Sequence, residues 1–330
     1  AAAILVASVH AGQNLANKNQ IGYYASWQIY DRAKLAAPAN LDFSLWTRVN
    51  FAFMQTALDG TLHGTDPEAD PQALFGSINW YDPDGSRSTE RTFSAMVKPY
   101  ADGNDLQLNT AAPQSTTNRY NHGTGLIDLA HKAGTEVYVS IGGWSLSSNF
   151  PTVAADAAKR TKFAHSAASL IREWGLDGID IDWEYPGYTD HHGTKSDGAN
   201  YLLMLRELRD SIDGLVTTFG RHPGITAALP CGPGNIAAMD VKGLATVLDE
   251  MNLMTYDFHG AFDPATNHNS PLYWNGIGDS LFSVAGCVDQ WIAKGAPAAK
   301  LNIGTGFYGR SFAGATTLGA THQGNDVVHW

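Results

Sequence analysis

Seven short apolar runs, rich in β-branched and aromatic residues, recur along the chain and limit what it can fold into. They lie at 20–25 (QIGYYA), 47–54 (TRVNFAFM), 135–142 (TEVYVSIG), 176–183 (LDGIDIDW), 223–229 (PGITAAL), 249–256 (DEMNLMTY) and 300–307 (KLNIGTGF). Helical patterns fill the intervals. Phe163, Ala167, Leu170, Ile171 and Trp174 share one helical face, Tyr201, Leu205, Leu208 and Ile212 share another, and VDQWIAKG is a third amphipathic segment. Buried strands alternating with helices predict a parallel sheet. No glycine-rich phosphate turn follows the first run, so a (β/α)8 TIM barrel is expected ahead of a doubly wound sheet. The polar, turn-rich stretch 55–122 falls between the second and third strands, where such a barrel carries functional loops.

The fourth run carries the chemistry. Asp180, Asp182 and Glu184 alternate with Ile179, Ile181 and Trp183, so a strand sends the three acids to one face. They climb by about 3.3 Å per residue, which places Asp180 deepest and Glu184 at the mouth of the barrel's C-terminal end, where barrel sites form. Crowding and burial should raise at least one of their pKa values. A protonated Glu at the rim of a cleft suits proton donation to a glycosidic oxygen. A nucleotide-sugar metal site is the weaker reading of the paired aspartates, because nothing supplies a nucleotide pocket.

The net charge of −11 argues against a general attraction to nucleic acid or an anionic membrane. Nine Trp among 11% aromatic residues leave ring surface for binding. Cys231 and Cys287 show neither metal-ligand spacing nor a disulfide framework. Two unpaired core thiols are expected, with a single bridge as the alternative. His191-His192 lack a third ligand and read as a solvated loop, so no metal or cofactor is expected. AAAILVASVHAGQ (1–13) has the character of a secretory leader ending near Val9-His10-Ala11, which predicts an exported protein.

DGIDIDWE (177–184) resembles the DxxDxDxE signature of family 18 glycoside hydrolases, the chitinases. SIGGWSLSSNF (140–150), MTYD (254–257), GFYGRSF (306–312) and GYYASWQIYDR (22–32) resemble further motifs of that family and occur in its order. The resemblance implies hydrolysis of β-1,4 links between N-acetylglucosamine units with retention, the sugar's own acetamido group acting as nucleophile. It makes Glu184 the acid and Asp182 the residue that orients the acetamido group. Asp180 is its partner, supported by Tyr23 and Ser140, and Tyr256 bonds the acetamido oxygen. Asp257, Met254, Trp27, Trp144, Phe262 and Arg310 fall among the substrate-binding positions, and His259 is a further candidate contact. A helix-terminal salt bridge is the alternative for Arg310, and Asp177 is expected to hold the loop rather than react. A lectin-like chitin binder, an inactive fragment and an endo-β-N-acetylglucosaminidase acting on N-glycans are the rival functions. The expected partner is chitin or its oligosaccharides, bound by a monomer. Residues 19–312 are expected to form the barrel without its eighth strand, and 313–330 to begin an α+β insertion. On that expectation the sequence lacks a Met at one end and about 70–100 residues at the other, and without them it folds and hydrolyses poorly.

Overall fold

The computed structural model describes residues 18–30, 34–66, 69–76, 124–216 and 220–324. The expected leader at 1–11, residues 67–68 and 77–122 of the polar stretch, and the tail beyond 324 lie outside them. The described residues form two compact units, one within Leu15–Ala227 and the other within Ala228–Trp330.

All seven apolar runs form strands. In the first unit β1 (Ile21–Ala25), β2 (Arg48–Thr56), β4 (Glu136–Gly142), β5 (Gly178–Asp182) and β6 (Gly224–Leu229, whose last two residues enter the second unit) are parallel neighbours in that order. In the second, β7 (Glu250–Leu253) pairs in parallel with β8 (Leu301–Ile303). The chain is therefore an α/β protein of parallel strands and intervening helices, the expected class. β3 (Leu62–Gly64) is an addition that the polar stretch concealed. It pairs antiparallel with the end of β2, across a turn in which the Asp59 carboxylate accepts the Thr61 N–H (3.0 Å) and hydroxyl (2.7 Å). A helix, Ala69–Phe75, follows.

Strand alternation decides which residues meet the helices. Val137, Val139, Ile179 and Ile181 are fully buried, as are the apolar faces of the helices Ala157–Trp174 and Asp197–Asp213. Trp183 stacks on Phe150 (5.3 Å) and meets the edge of Tyr201 (5.3 Å). The other face of the strands carries Tyr138. Its register neighbours are Gly178 and, beyond that, Gly224. A Cβ on Gly224 would overlap the Tyr138 hydroxyl and come within 2.7 Å of Cζ, and one on Gly178 would lie 2.6 Å from Cε2. The tyrosine ring fills space that the two glycines leave open. Gly224→Ala is expected to lower stability by about 1–3 kcal/mol through overpacking, read as a lower denaturation midpoint at unchanged slope.

The second unit corrects the thiol expectation. Cys231 and Cys287 are joined in a disulfide with Cα atoms 5.0 Å apart. The helix Val284–Ala293 buries Cys287 and Trp291 on one face, and the Trp291 indole donates to the Pro230 carbonyl (3.0 Å). That contact sets Cys231 beside its partner. Among the described residues no helix is long and apolar enough to cross a membrane.

Candidate active site

The acid ladder sits at the C-terminal end of β5. Asp180 is 0% exposed and Asp182 5%, while Glu184 lies two residues past the strand and is half-buried. Parallel register aligns Ala52, Ser140, Asp180 and Thr226 in one row. Asp180 Oδ2 accepts the Tyr23 hydroxyl (2.9 Å) and the Ser140 hydroxyl (2.8 Å), and Oδ1 accepts Thr226 Oγ1 (2.5 Å). Tyr23 and Ser140 thus reach the carboxylate assigned to them, and Thr226 is a third support that the sequence reading missed.

The Asp182 carboxyl is pushed well above the usual range. Burial is the main cause, followed by the charges of Glu184 and Asp180. Its Oδ1 is buried without a hydrogen-bond partner. At least one raised acid was expected in the ladder, and Asp182 is one, a step deeper than Glu184 and almost fully buried.

The SIGGWS segment anchors this strand end. Gly142 and Gly143 have φ of 113° and 96°, a region that side chains disfavour. A Cβ on Gly142 would lie 2.9 Å from the Asp182 carbonyl carbon and 2.8 Å from the Phe150 ring. The Gly143 N–H donates to the Asp182 carbonyl (2.7 Å). Ser147 Oγ, missed in the sequence, lies 3.2 Å from that oxygen and accepts the Glu184 N–H (2.9 Å). Asp177 does hold structure. It accepts the Val137 N–H (2.7 Å) and pairs with His131 (2.8 Å) and Arg221 (2.6 Å).

The aromatic candidates are on the surface, so a core role is excluded for them. Trp27 is 48% exposed, Trp144 53% and Phe262 65%. Trp27 stacks beside Phe53 (6.1 Å), and Trp144 meets Tyr188 (5.6 Å) and His191 (4.7 Å). His191 is therefore not a solvated loop residue; it packs on Trp144 and its Nδ1 is 2.6 Å from the Glu184 carbonyl oxygen.

In the second unit, β7 ends at Leu253, short of the predicted 256. The N–H groups of Thr255 and Gly304 both turn to the Leu253 carbonyl (2.9 Å each), which ends the ladder and leaves Met254 to Asp257 as a loop. Met254, Tyr256 and Asp257 are half-buried there. Asp257 takes a left-handed backbone (φ 56°), which a short polar side chain tolerates, and the Asn269 side chain accepts its N–H (2.9 Å). Its Oδ1 accepts Arg310 Nε (2.8 Å) and Nη2 (2.6 Å). Neither residue lies in a helix, so the ion pair is not the helix-terminal one considered for Arg310. The guanidinium also lies over the rings of Phe262 (5.7 Å) and Tyr308 (5.6 Å). Burial, and then a hydrogen bond to Asp257, push the Tyr308 phenol upward, and its ring meets Tyr256 at 6.2 Å. His259 is held by Asp263 (3.0 Å). Among the described residues no group of three His, Cys, Asp or Glu side chains is placed to hold a metal ion.

In the first unit, a rim acid above a buried carboxyl pair, beside exposed rings, is suited to acid catalysis on a sugar. Comparison with known proteins points the same way. The model of glycosyl hydrolases family 18 matches residues 19–330. Endochitinase 1 of Metarhizium robertsii is 30% identical over 312 residues, 93% of this chain and 64% of its own. Chitinase A1 of Niallia circulans is 31% identical over 91% of this chain and 43% of its own. The chain thus spans less than two thirds of the length of these relatives. Among solved structures, a group IV chitinase of Ostrinia furnacalis superposes with a TM-score of 0.71 at 26% identity, covering 93% of this chain and 72% of that one. Its complex with allosamidin gives 0.70.

Proposed function

Because the chain belongs to family 18 of the glycosyl hydrolases, we propose that it is a chitinase cutting β-1,4 links between N-acetylglucosamine units with retention. The observation that carries this reading is the acid ladder. Asp180 is gripped by three hydroxyls, and Asp182 above it is held toward its protonated form with one oxygen buried and unpartnered. An acetamido N–H is the donor that oxygen would take.

In the proposed reaction Glu184 gives its proton to the leaving oxygen while the acetamido carbonyl oxygen attacks the anomeric carbon. The C–O bond to the leaving sugar breaks, and an oxazolinium ion forms. Asp182, turned toward the acetamido N–H, stabilises that cation. Water then attacks the anomeric carbon from the face the leaving sugar vacated, passing its proton to Glu184 as the oxazolinium C–O bond breaks, so the β-configuration is kept. Tyr256 is assigned to the acetamido oxygen. Met254, Asp257, Arg310, Trp27, Trp144 and Phe262 are assigned to the sugar chain, whose apolar faces suit exposed rings. The proposed location is extracellular, supported by the Cys231–Cys287 bond, which persists in oxidising compartments.

The test is a time-resolved anomer analysis of fresh hydrolysate from N-acetylglucosamine oligomers. The β-anomer should appear first, and fully deacetylated oligomers should resist cleavage for want of a nucleophile. Initial α-product, or equal cleavage of the deacetylated oligomer, would overturn the mechanism.

A further inference from the structure

Glu184 is held through its main chain at both ends. Ser147 Oγ accepts its N–H at 2.9 Å, and His191 Nδ1 stands 2.6 Å from its carbonyl oxygen. A carbonyl only accepts, so Nδ1 carries the proton in this contact. The loop that delivers His191 is itself fixed. The N–H groups of His191 (3.1 Å) and Gly193 (2.8 Å) both donate to the Tyr188 carbonyl. The buried Asp197 carboxylate accepts from Gly187 N (3.0 Å), Thr194 N (2.9 Å) and Thr194 Oγ1 (2.6 Å). The same imidazole packs edge-to-face with the exposed Trp144 ring at 4.7 Å. One side chain therefore ties the backbone of the rim acid to the adjacent aromatic surface.

We propose that His191 is a positioning residue for Glu184, setting the direction of its Cα–Cβ bond so that the carboxyl meets the leaving oxygen. The idea rests on the chitinase reading above. The physical need is that a general acid works only within hydrogen-bond reach of the atom it protonates, and small displacements from productive geometry carry large rate penalties. Glu184 lies two residues past the end of β5, and the Ser147 and His191 contacts hold its main chain there.

The experiment compares two leaving groups. Cleavage of an N-acetylglucosamine pentamer releases a sugar alkoxide that needs the proton, whereas a 2,4-dinitrophenyl glycoside of N-acetylglucosamine dimer releases a phenolate that does not. His191→Ala should lower kcat/KM on the pentamer about tenfold, the size expected for one lost hydrogen bond. Its kcat/KM on the dinitrophenyl substrate, a quantity that excludes the later water attack also using Glu184, should fall less than about twofold. His191→Asn, whose amide can donate to the same carbonyl, should recover most of the loss. Equal loss on both substrates, no loss on either, or Asn no better than Ala would overturn the positioning role while leaving the chitinase reading intact. A wild-type protein that cuts neither substrate overturns that reading and the proposal with it.

Discussion

Replacing Glu184 with glutamine is expected to slow hydrolysis of N-acetylglucosamine oligomers by about 10²–10⁴-fold, the usual worth of a placed general acid, and to leave their binding in place. Glutamine keeps the shape of the side chain and its main-chain contacts to Ser147 and His191, so the strand end should not move. What it lacks is a proton to give. Turnover is read by chromatography of the products and binding by calorimetry with the same oligomers. Digestion that continues undiminished would take the acid role away from this residue, and loss of binding together with turnover would point to a disturbed fold.

Asp182→Asn should separate activity from stability. The carboxylate that orients the acetamido group and answers the developing cation is lost, and turnover should fall by about 10²-fold, as for other preorganised electrostatic partners. Stability should move the other way. The folded carboxyl is raised above the ordinary carboxylate range by burial, Glu184 and Asp180, so in the window between the unfolded and folded pKa values the native state binds more protons than the unfolded one. Stability then falls as pH rises through that window, and the penalty is absent below it. Asparagine does not ionise. The variant should therefore melt higher than the wild type near about pH 8, with the gap closing toward about pH 4. A variant that melts lower at the higher pH, or a gap that does not narrow with acid, would show that Asp182 is not the strained carboxyl.

The strands and helical faces were legible because periodicity is local. Each of the seven runs and the buried faces around Phe163 and Tyr201 follow from a few neighbouring residues. The ends of β7 and β8 were not, since they depend on where the N–H groups of Thr255 and Gly304 turn. β3 and the helix Ala69–Phe75 were hidden in a stretch whose composition says only loop. The disulfide joins residues separated by 56 positions, a spacing that carries no pairing signal. Thr226 and Asn269 lie outside every motif, and Ser147 and Tyr308 lie inside motifs whose pattern does not single them out. Each earns its place by meeting an acid, or the backbone of an acid-bearing segment, from a distant part of the chain.

The alternation of Asp180, Asp182 and Glu184 with apolar residues was settled by the sequence alone, because a strand sends every second side chain to the same face. That Asp182 is pushed toward its protonated form, which hydroxyls grip Asp180, and what holds the backbone of Glu184 were decided by tertiary structure. Those outcomes depend on burial and on the register between strands far apart in the chain, and neither is a property of any one segment.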